Sequence, residues 1–414
     1  VRTTKKFKKP IACCFLGVYD VSNGIDILEL NGIPAYRFPE SAARALAVMT
    51  KFRDWLQRPL TEVKKYKVNK AKAERVIFSS LNSQRSSLLE HEAYDVLEAY
   101  GFPLIKSFLA TTEKQAMDAA EKIGYPVVCK IVSPDILHKF DFNGVRLNLK
   151  SQNEVKDAYN DIIKTILAKK PGAEITGILI EEMATSGKEI ILGMNRDPQF
   201  GPLLMFGLGG TYVEVLEDVT FRLAPIREIT AKKMIEKTKA NKILQGFRGE
   251  PPYDTNAVAE CIKRLSQLVT DFDEIKELDI NPLLIHEKDA VVLDARIIID
   301  RNILSSSQKP FSHLILRPYP EEYVKKSQLR DKTPIILRPI KPEDEPIWME
   351  MLASCSKESI YARFQSLYTG WKYHKEAIRY CYIDYDREIA IVAELKDKNK
   401  RRLIGVGRLV ADPD

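Results

Sequence analysis

Short apolar stretches and longer amphipathic ones take turns along the chain, and the change of apolar spacing from two to about 3.6 residues marks each element. Residues 10–55 read as strand "PIACCFLG", helix "GIDILELNG", short strand "IPAYRF" and helix "ESAARALAVMTKFRDWLQ", the last opened by Pro39 and Glu40. This alternation predicts parallel strands with helical crossovers. Two strands cannot close a sheet alone, so residues 1–60 are expected to be the C-terminal half of a doubly wound domain, with the run "IACCFLGVY" as a buried strand. Residues 61–86 are basic and polar without sustained periodicity and are expected to be a linker.

Helical spacing returns in "LLEHEAYDVLEAYG", which ends at Gly101, a helix-stopping residue. After it come "PLIKSFLA", helix "TEKQAMDAAEKIG", an apolar strand carrying Lys130, helix "QNEVKDAYNDIIKTILAKK", and strands "EITGILIEEM" and "KEIILGMNR". A glycine-rich stretch, more helices and the pair "IKELDINPLLIHEKDAVVLDARIIID" follow, the pair reading as two strands joined by a polar turn. Residues 87–301 are thus expected to form one mixed α+β domain. Residues 302–332 read as a second linker, and residues 333–414 as a β-α-α-β-β unit beginning "PIILRPI". The fold class expected is α/β and α+β multidomain.

At 414 residues several domains are the prior, and 45% hydrophobic with 29% charged residues describes a globular protein rather than a disordered one. No apolar run reaches the roughly 18 to 20 residues of a membrane helix, so no membrane partner is expected. The 64 basic and 57 acidic residues are interleaved, which leaves no stripe for nucleic acid. Six cysteines without zinc or framework spacing fit a reducing compartment, the cytoplasm. The chain opens without Met and stops soon after an apparent strand, so a piece of a longer polypeptide is expected, and a homo-oligomer is left open.

Four features carry candidate chemistry. Lys130 ends an apolar strand, where an ammonium needs an anion such as nucleotide phosphate; it also reads as a snorkelling lysine. Asp279, Asn281 and Asp294 lie near the ends of two adjoining strands, and few protein oxygens plus phosphate and water suit Mg²⁺; equally, Asp279 and Asn281 could only shape a turn before Pro282. Gly207, Gly209 and Gly210 allow close backbone approach to phosphate and Arg222 offers a guanidinium fork, although a plain turn explains the glycines as well. His138, in "DILHKFDFNGV", is a solitary imidazole that could be structural or a nucleophile toward phosphorus.

Taken in order, "YPVVCKIVSPDILHKFDFNGV", "ILIEEM", "RDPQFGPLLMFGLGGTYVEVLEDVTFRLAP" and "ELDINPLL" resemble the ATP-grasp fold, and specifically the nucleotide-binding subunit of ADP-forming acyl-CoA synthetases. The resemblance implies nucleotide contacts from Lys130, Ile180, Glu181, Glu182, Met183, Gly209, Gly210 and Glu214. It implies Mg²⁺ on Asn281 and Asp294 with Asp279 nearby, and phosphoryl transfer through His138 with help from Lys130 and Arg222. ATP or ADP, Mg²⁺, CoA, phosphate and a carboxylic acid are the implied small molecules, and upstream CoA-binding domains the implied partner. In one departure, members read Ser-Asp-x-Gly-Gly after His-Lys, where this chain has Phe140, Asp141, Phe142, Asn143 and Gly144, so a stiffer loop is expected. Residues 1–60 are similar to the end of the flavodoxin-like CoA-ligase domain, and residues 333–414 resemble the first half of a GNAT acetyltransferase. That half would bind acetyl-CoA and act on a protein substrate if completed. An ADP-forming acid–CoA ligase is therefore the leading expectation, and a protein-lysine acetyltransferase with ligand-sensing ligase domains is the alternative.

Overall fold

The structure, a computed structural model, describes residues 9–16, 21–57, 63–136, 139–209, 218–246, 249–302, 311–364, 377–397 and 400–411. Two units are distinguished, residues 1–60 and residues 61–414.

In the first unit β1 (Cys13–Cys14) pairs in parallel with β2 (Ala35–Tyr36), and α1 (Ser22–Leu30) lies between them in sequence. Pro39 begins α2 (Pro39–Leu56), where its fixed φ suits the first helical turn and its missing N–H costs no hydrogen bond. The expected buried strand is corrected: only two residues pair, and Phe15 and Leu16 are exposed. A two-stranded sheet offers too little surface to cover a longer apolar strand.

The second unit begins with a further correction, because part of the expected linker is a helix. In α3 (Lys70–Asn82), Asn69 accepts from the Lys72 N–H at the N-terminus, and Ala73, Ile77 and Leu81 recur every fourth residue on one buried face. That stripe is narrow and set among charged residues, which hid it. Beside it runs α4 (Glu90–Ala99), whose Ala93, Tyr94, Val96 and Leu97 enter the same core.

A small lobe follows, built of β3 (Ser107–Ala110), α5 (Glu113–Ile123), β4 (Val127–Val132), β5 (Val145–Leu149), α6 (Gln152–Lys169) and β6 (Gly177–Glu182). Its sheet is antiparallel in the order β3-β6-β4-β5. Cys129, Ile131, Ile178 and Ile180 pack with Ala116, Val155, Ile162 and Ile166 of the two helices. Strand alternation then turns Val128, Lys130 and Val132 to the opposite face, with Leu179 and Glu181 of β6.

The larger sheet holds β7 (Lys188–Asp197), β8 (Gly201–Leu208), β9 (Val219–Leu223), β10 (Ile275–Ile285), β11 (Ala290–Val292) and β12 (Ala295–Ile299). Its order is β11-β10-β7-β8-β9, with β12 also paired to β10. Leu192, Leu204, Leu278 and Ile280 point into the main core, which takes in Leu265 and Leu268 of the helix Thr255–Asp271. The alternate positions, Gly193, Met205, Asp279 and Arg296 among them, line a hollow on the opposite face.

A third sheet runs β13 (Lys325–Gln328), β14 (Pro334–Pro339), β15 (Glu388–Asp397) and β16 (Lys400–Val410), antiparallel in sequence order. Helices Glu345–Ser354 and Lys357–Phe364 separate β14 from β15, and Trp348, Val392 and Leu403 share a core there. The second expected linker is shortened accordingly, since residues 325–328 pair with β14. The buried Arg338 holds this sheet's polar centre, bonding Asp344 at 2.6 and 2.8 Å and Glu394 at 2.6 Å.

Candidate functional site

The site begins with an irregularity in β10. Ile280 pairs with Leu192 and Leu283 with Ile190, so Asn281 and Pro282 together oppose Ile191. Such a bulge re-aims side chains, and Pro282, with no N–H to contribute, is tolerated there. Across from it the returning strand is broken between β11 and β12, at Leu293 and Asp294. Asn281 N–H donates to the Asp294 carbonyl at 3.2 Å and Leu293 N–H to the Pro282 carbonyl at 3.1 Å. Bulge and break together present the side chains of Asp279, Asn281 and Asp294 to one cavity of about 300 Å³.

The opposite wall is formed by Ile131 to Pro134 at the end of β4, by Glu90 at the first turn of α4, and by Lys139. Lys130 is not among the lining residues. Its ammonium has three donors, and three acceptors meet them: Glu90 Oε1 at 3.1 Å, Glu181 Oε2 at 2.7 Å and the Leu293 carbonyl at 2.7 Å. The anions that the buried strand lysine requires are two carboxylates of the protein itself.

Lys139 is the lysine on the cavity wall. Its ammonium meets Glu90 Oε2 and lies 3.6 Å from Asp294 Oδ1. Gly144 N–H donates to the Lys139 carbonyl at 2.7 Å, which closes a turn in which Asn143 has φ 53°. Phe142 packs against the small-lobe core and Phe140 is exposed, so one of the two aromatics anchors the loop.

Electrostatics follow from this crowding. Burial pushes Glu90 up, but the adjacent Lys130 and Lys139 outweigh it and hold the carboxyl below its ordinary range. Glu181, buried and with one lysine partner shared with Glu90, is pushed up to about 7. Asp279 is pushed up to about 6, by burial and then by the charge of Asp294, with Arg296 opposing. Burial and then Glu90 raise Asp294 as well. Two buried carboxylates, both raised, beside an amide oxygen form a small, hard oxygen set. That set fits Mg²⁺ completed by phosphate and water.

Other expected residues are scattered. Ile180 is fully buried in the small-lobe core, so its side chain faces no ligand; Glu181 is committed to Lys130. Glu182 and Met183 continue the strand through backbone donation to Lys106 and Pro126. A Cβ on Gly209 would stand 2.8 Å from the Ile190 carbonyl carbon, so strand packing alone requires a glycine there. Arg222 pairs with Leu204 and so shares the core-side face of its sheet, away from Asp279 and Met205. It is not brought to the cavity. His138, Gly210 and Glu214 lie outside the described residues.

Glu90, Lys139 and Arg296 were missed. Helical spacing puts Glu90 on the same face as Ala93, Tyr94 and Leu97, and a carboxylate on an apolar face is a readable signal. Arg296 sits two residues after Asp294, on the same strand face as Asp279, its register partner.

The sequence matches the ATP-grasp domain family over residues 79–299. It is 48% identical over 299 residues to a 4-hydroxybutyrate–CoA ligase (ADP-forming) of Nitrosopumilus maritimus, covering 72% of this chain and 43% of that protein. It is 47% identical to the acetate–CoA ligase (ADP-forming) II subunit beta of Pyrococcus furiosus, over 56% of this chain and 99% of the subunit. Among solved structures, the dinucleotide forming acetyl-coenzyme A synthetase 1 of Ca. Korarchaeum cryptofilum superposes with TM-score 0.50 and 42% identity over 55% of this chain and all of that one. That structure contains coenzyme A and Mg-AMPPCP, with its phosphohistidine segment pointing towards the nucleotide binding site. The chain thus spans less than half of the full-length Nitrosopumilus ligase and nearly all of the beta subunit. With its family match and the near-complete alignment to that subunit, this chain belongs to the ATP-grasp family of ADP-forming CoA ligases.

Proposed function

We propose that the chain is the nucleotide-handling part of an enzyme interconverting carboxylic acid, CoA and ATP with acyl-CoA, ADP and phosphate. The observation that carries this reading is the single cavity lined by Lys139 on one wall and by Asp279, Asn281 and Asp294 on the other. In it, Lys139 would bind nucleotide phosphate directly. Lys130, its donors already taken, would act as a fixed positive charge behind that wall. Asp294 and Asn281, with Asp279 beside them, would hold Mg²⁺, which when bound supplies charge neutralisation to phosphate oxygens. Preorganised charge of this kind is the main contribution a protein makes to phosphoryl transfer.

His138 is the proposed phosphoryl acceptor. ATP would give up its γ-phosphoryl group to the imidazole, leaving ADP, and the group would pass to the carboxylic acid as an acyl phosphate. The CoA thiol would then displace phosphate. The acid and CoA sites are assigned to partner domains, in keeping with a relative named a beta subunit that aligns with this region alone.

The flanks are read more finely on the same terms. The parallel pairing of β1 with β2 supports reading residues 1–60 as a flavodoxin-like domain end, and the β-α-α-β-β order from β14 onward, among the described residues, supports half of a GNAT-type unit. No helix among the described residues is long and apolar enough to cross a membrane. Six free cysteines favour a cytoplasmic setting.

Incubating the full-length protein with acyl-CoA, ADP and phosphate should yield ATP, and no ATP from any acyl-CoA tried would refute the ligase reading. Asn281→Ala with Asp294→Ala should weaken Mg-ADP binding at least tenfold by calorimetry; unchanged affinity would remove these residues from the metal site. His138→Ala should abolish labelling of the enzyme from radiolabelled γ-phosphate.

A further inference from the structure

A cavity meant for a triphosphate has one unexpected wall. Glu90 is 6% exposed, lines the same cavity and directs its carboxylate at the ammonium proposed to receive the phosphate. A fixed anion there opposes the ligand's charge, so its presence calls for a role. Its two oxygens are divided. Oε1 takes Lys130 at 3.1 Å and the Tyr94 hydroxyl at 3.1 Å, while Oε2 takes Lys139.

The two lysines are held differently. Lys130 is fixed by three acceptors within the protein. Lys139 has Glu90 and, more loosely at 3.6 Å, Asp294. It is the lysine with freedom to exchange partners, and one of its anions is a proposed metal ligand. Mg²⁺ would need Asp294 at roughly 2.1 Å, which puts the ion and the ammonium in competition for the same carboxylate.

We propose that Glu90 is a placeholder anion: it holds Lys139 at the phosphate position while the site is free and gives it up when nucleotide binds. Binding is then an exchange in which phosphate replaces Glu90 on Lys139 and Mg²⁺ replaces Lys139 on Asp294. Glu90 keeps Lys130 and Tyr94 throughout, so its carboxylate is never left uncompensated in the interior. The exchange reaches the loop as well, because the Lys139 carbonyl closes the turn to Gly144. Glu90 acts through Lys139 and is a positioning residue rather than a catalytic one. This inference rests on reading the cavity as a Mg-nucleotide site.

The test is calorimetric titration of the full-length protein with Mg-ADP, in wild type, Glu90→Gln, Lys139→Met and the double variant. Removing the competitor should tighten binding about tenfold in Glu90→Gln. Lys139→Met should weaken it at least tenfold, and in that background Glu90→Gln should change affinity by less than about threefold. A purely structural Glu90 would give the reverse, weaker binding in Glu90→Gln. That result, or unchanged affinity in a variant that unfolds as cooperatively as wild type, overturns the proposal. So does equal tightening with and without Lys139. If Glu90→Gln does not fold, Glu90→Asp, which withdraws the charge by one methylene, is expected to tighten binding about threefold, and unchanged or weaker binding is again decisive. Absence of any Mg-ADP binding by wild type would instead remove the nucleotide reading itself.

Discussion

Replacing Lys130 by Met separates a structural lysine from a ligand-binding one. The change removes an ammonium bonded to Glu90, Glu181 and the Leu293 carbonyl and leaves a side chain of similar length. Deleting one partner of a buried ion pair costs about 3–5 kcal/mol, because the remaining charge is stranded in the interior. Two features set the cost near the lower end. Glu181, with a pKa already about 7, can take up a proton and become neutral, and Glu90 retains Lys139. The single Tyr94 hydroxyl proton, shared between Glu90 Oε1 at 3.1 Å and the Leu293 carbonyl at 2.8 Å, is a partial donor to that carbonyl. A loss of about 3 kcal/mol in a region the size of residues 79–299 lowers the melting temperature by about 6–12 °C. Differential scanning calorimetry of the full-length protein reads that shift in the transition of the ATP-grasp region. Adding Glu181→Gln should restore about a third of the loss, since no buried carboxylate is then left on β6. Nucleotide affinity should fall much less in Lys130→Met than in Lys139→Met. A Lys130→Met protein that melts within a degree or two of wild type yet fails to bind Mg-ADP would refute the assignment and make Lys130 a direct phosphate ligand.

Two further outcomes are expected. The folded pKa of Glu181, about 7, lies above its ordinary value of 4.5, so the folded state binds more protons than the unfolded one between those values. The contribution of this group to stability therefore declines as pH rises from about 4.5 to about 7 and is level above; Glu181→Gln should remove that component of the slope in urea midpoints measured across the window, and an unaltered slope would contradict the cause given. In the third sheet, Arg338→Met leaves Asp344 and Glu394 to Arg401, with the Lys341 N–H also on Asp344, and a loss of about 3–5 kcal/mol is expected. Hydrogen exchange should accelerate in β14 and β15 while β4 and β6 keep wild-type rates, and uniform acceleration would contradict a local role.

What could be read from the sequence, and what could not, divides along a physical line. Periodicity reports which face of an element is apolar, so the small-lobe strands, α5, α6 and the helix pair of the third sheet were legible. Short oxygen-bearing turns are local as well, and "ELDINPLL" with "VVLDARII" marked Asp279, Asn281 and Asp294, which line one cavity. Arg222 failed for a reason that no residue count reveals. Its face depends on the register of β9 against β8, a long-range pairing that puts it level with Leu204. The partners of Lys130 were hidden for another reason. A lysine in an apolar strand does demand an anion, but the demand does not say whether ligand or protein supplies it. Here Glu90, forty residues upstream, and Glu181, on the neighbouring strand, supply it first. The phosphate role proposed for Lys139, the next lysine along the chain, rests on contacts that leave it able to trade partners. Which partner answers a buried ammonium depends on the donors and acceptors brought together in three dimensions, and a linear reading of the sequence does not contain that pairing.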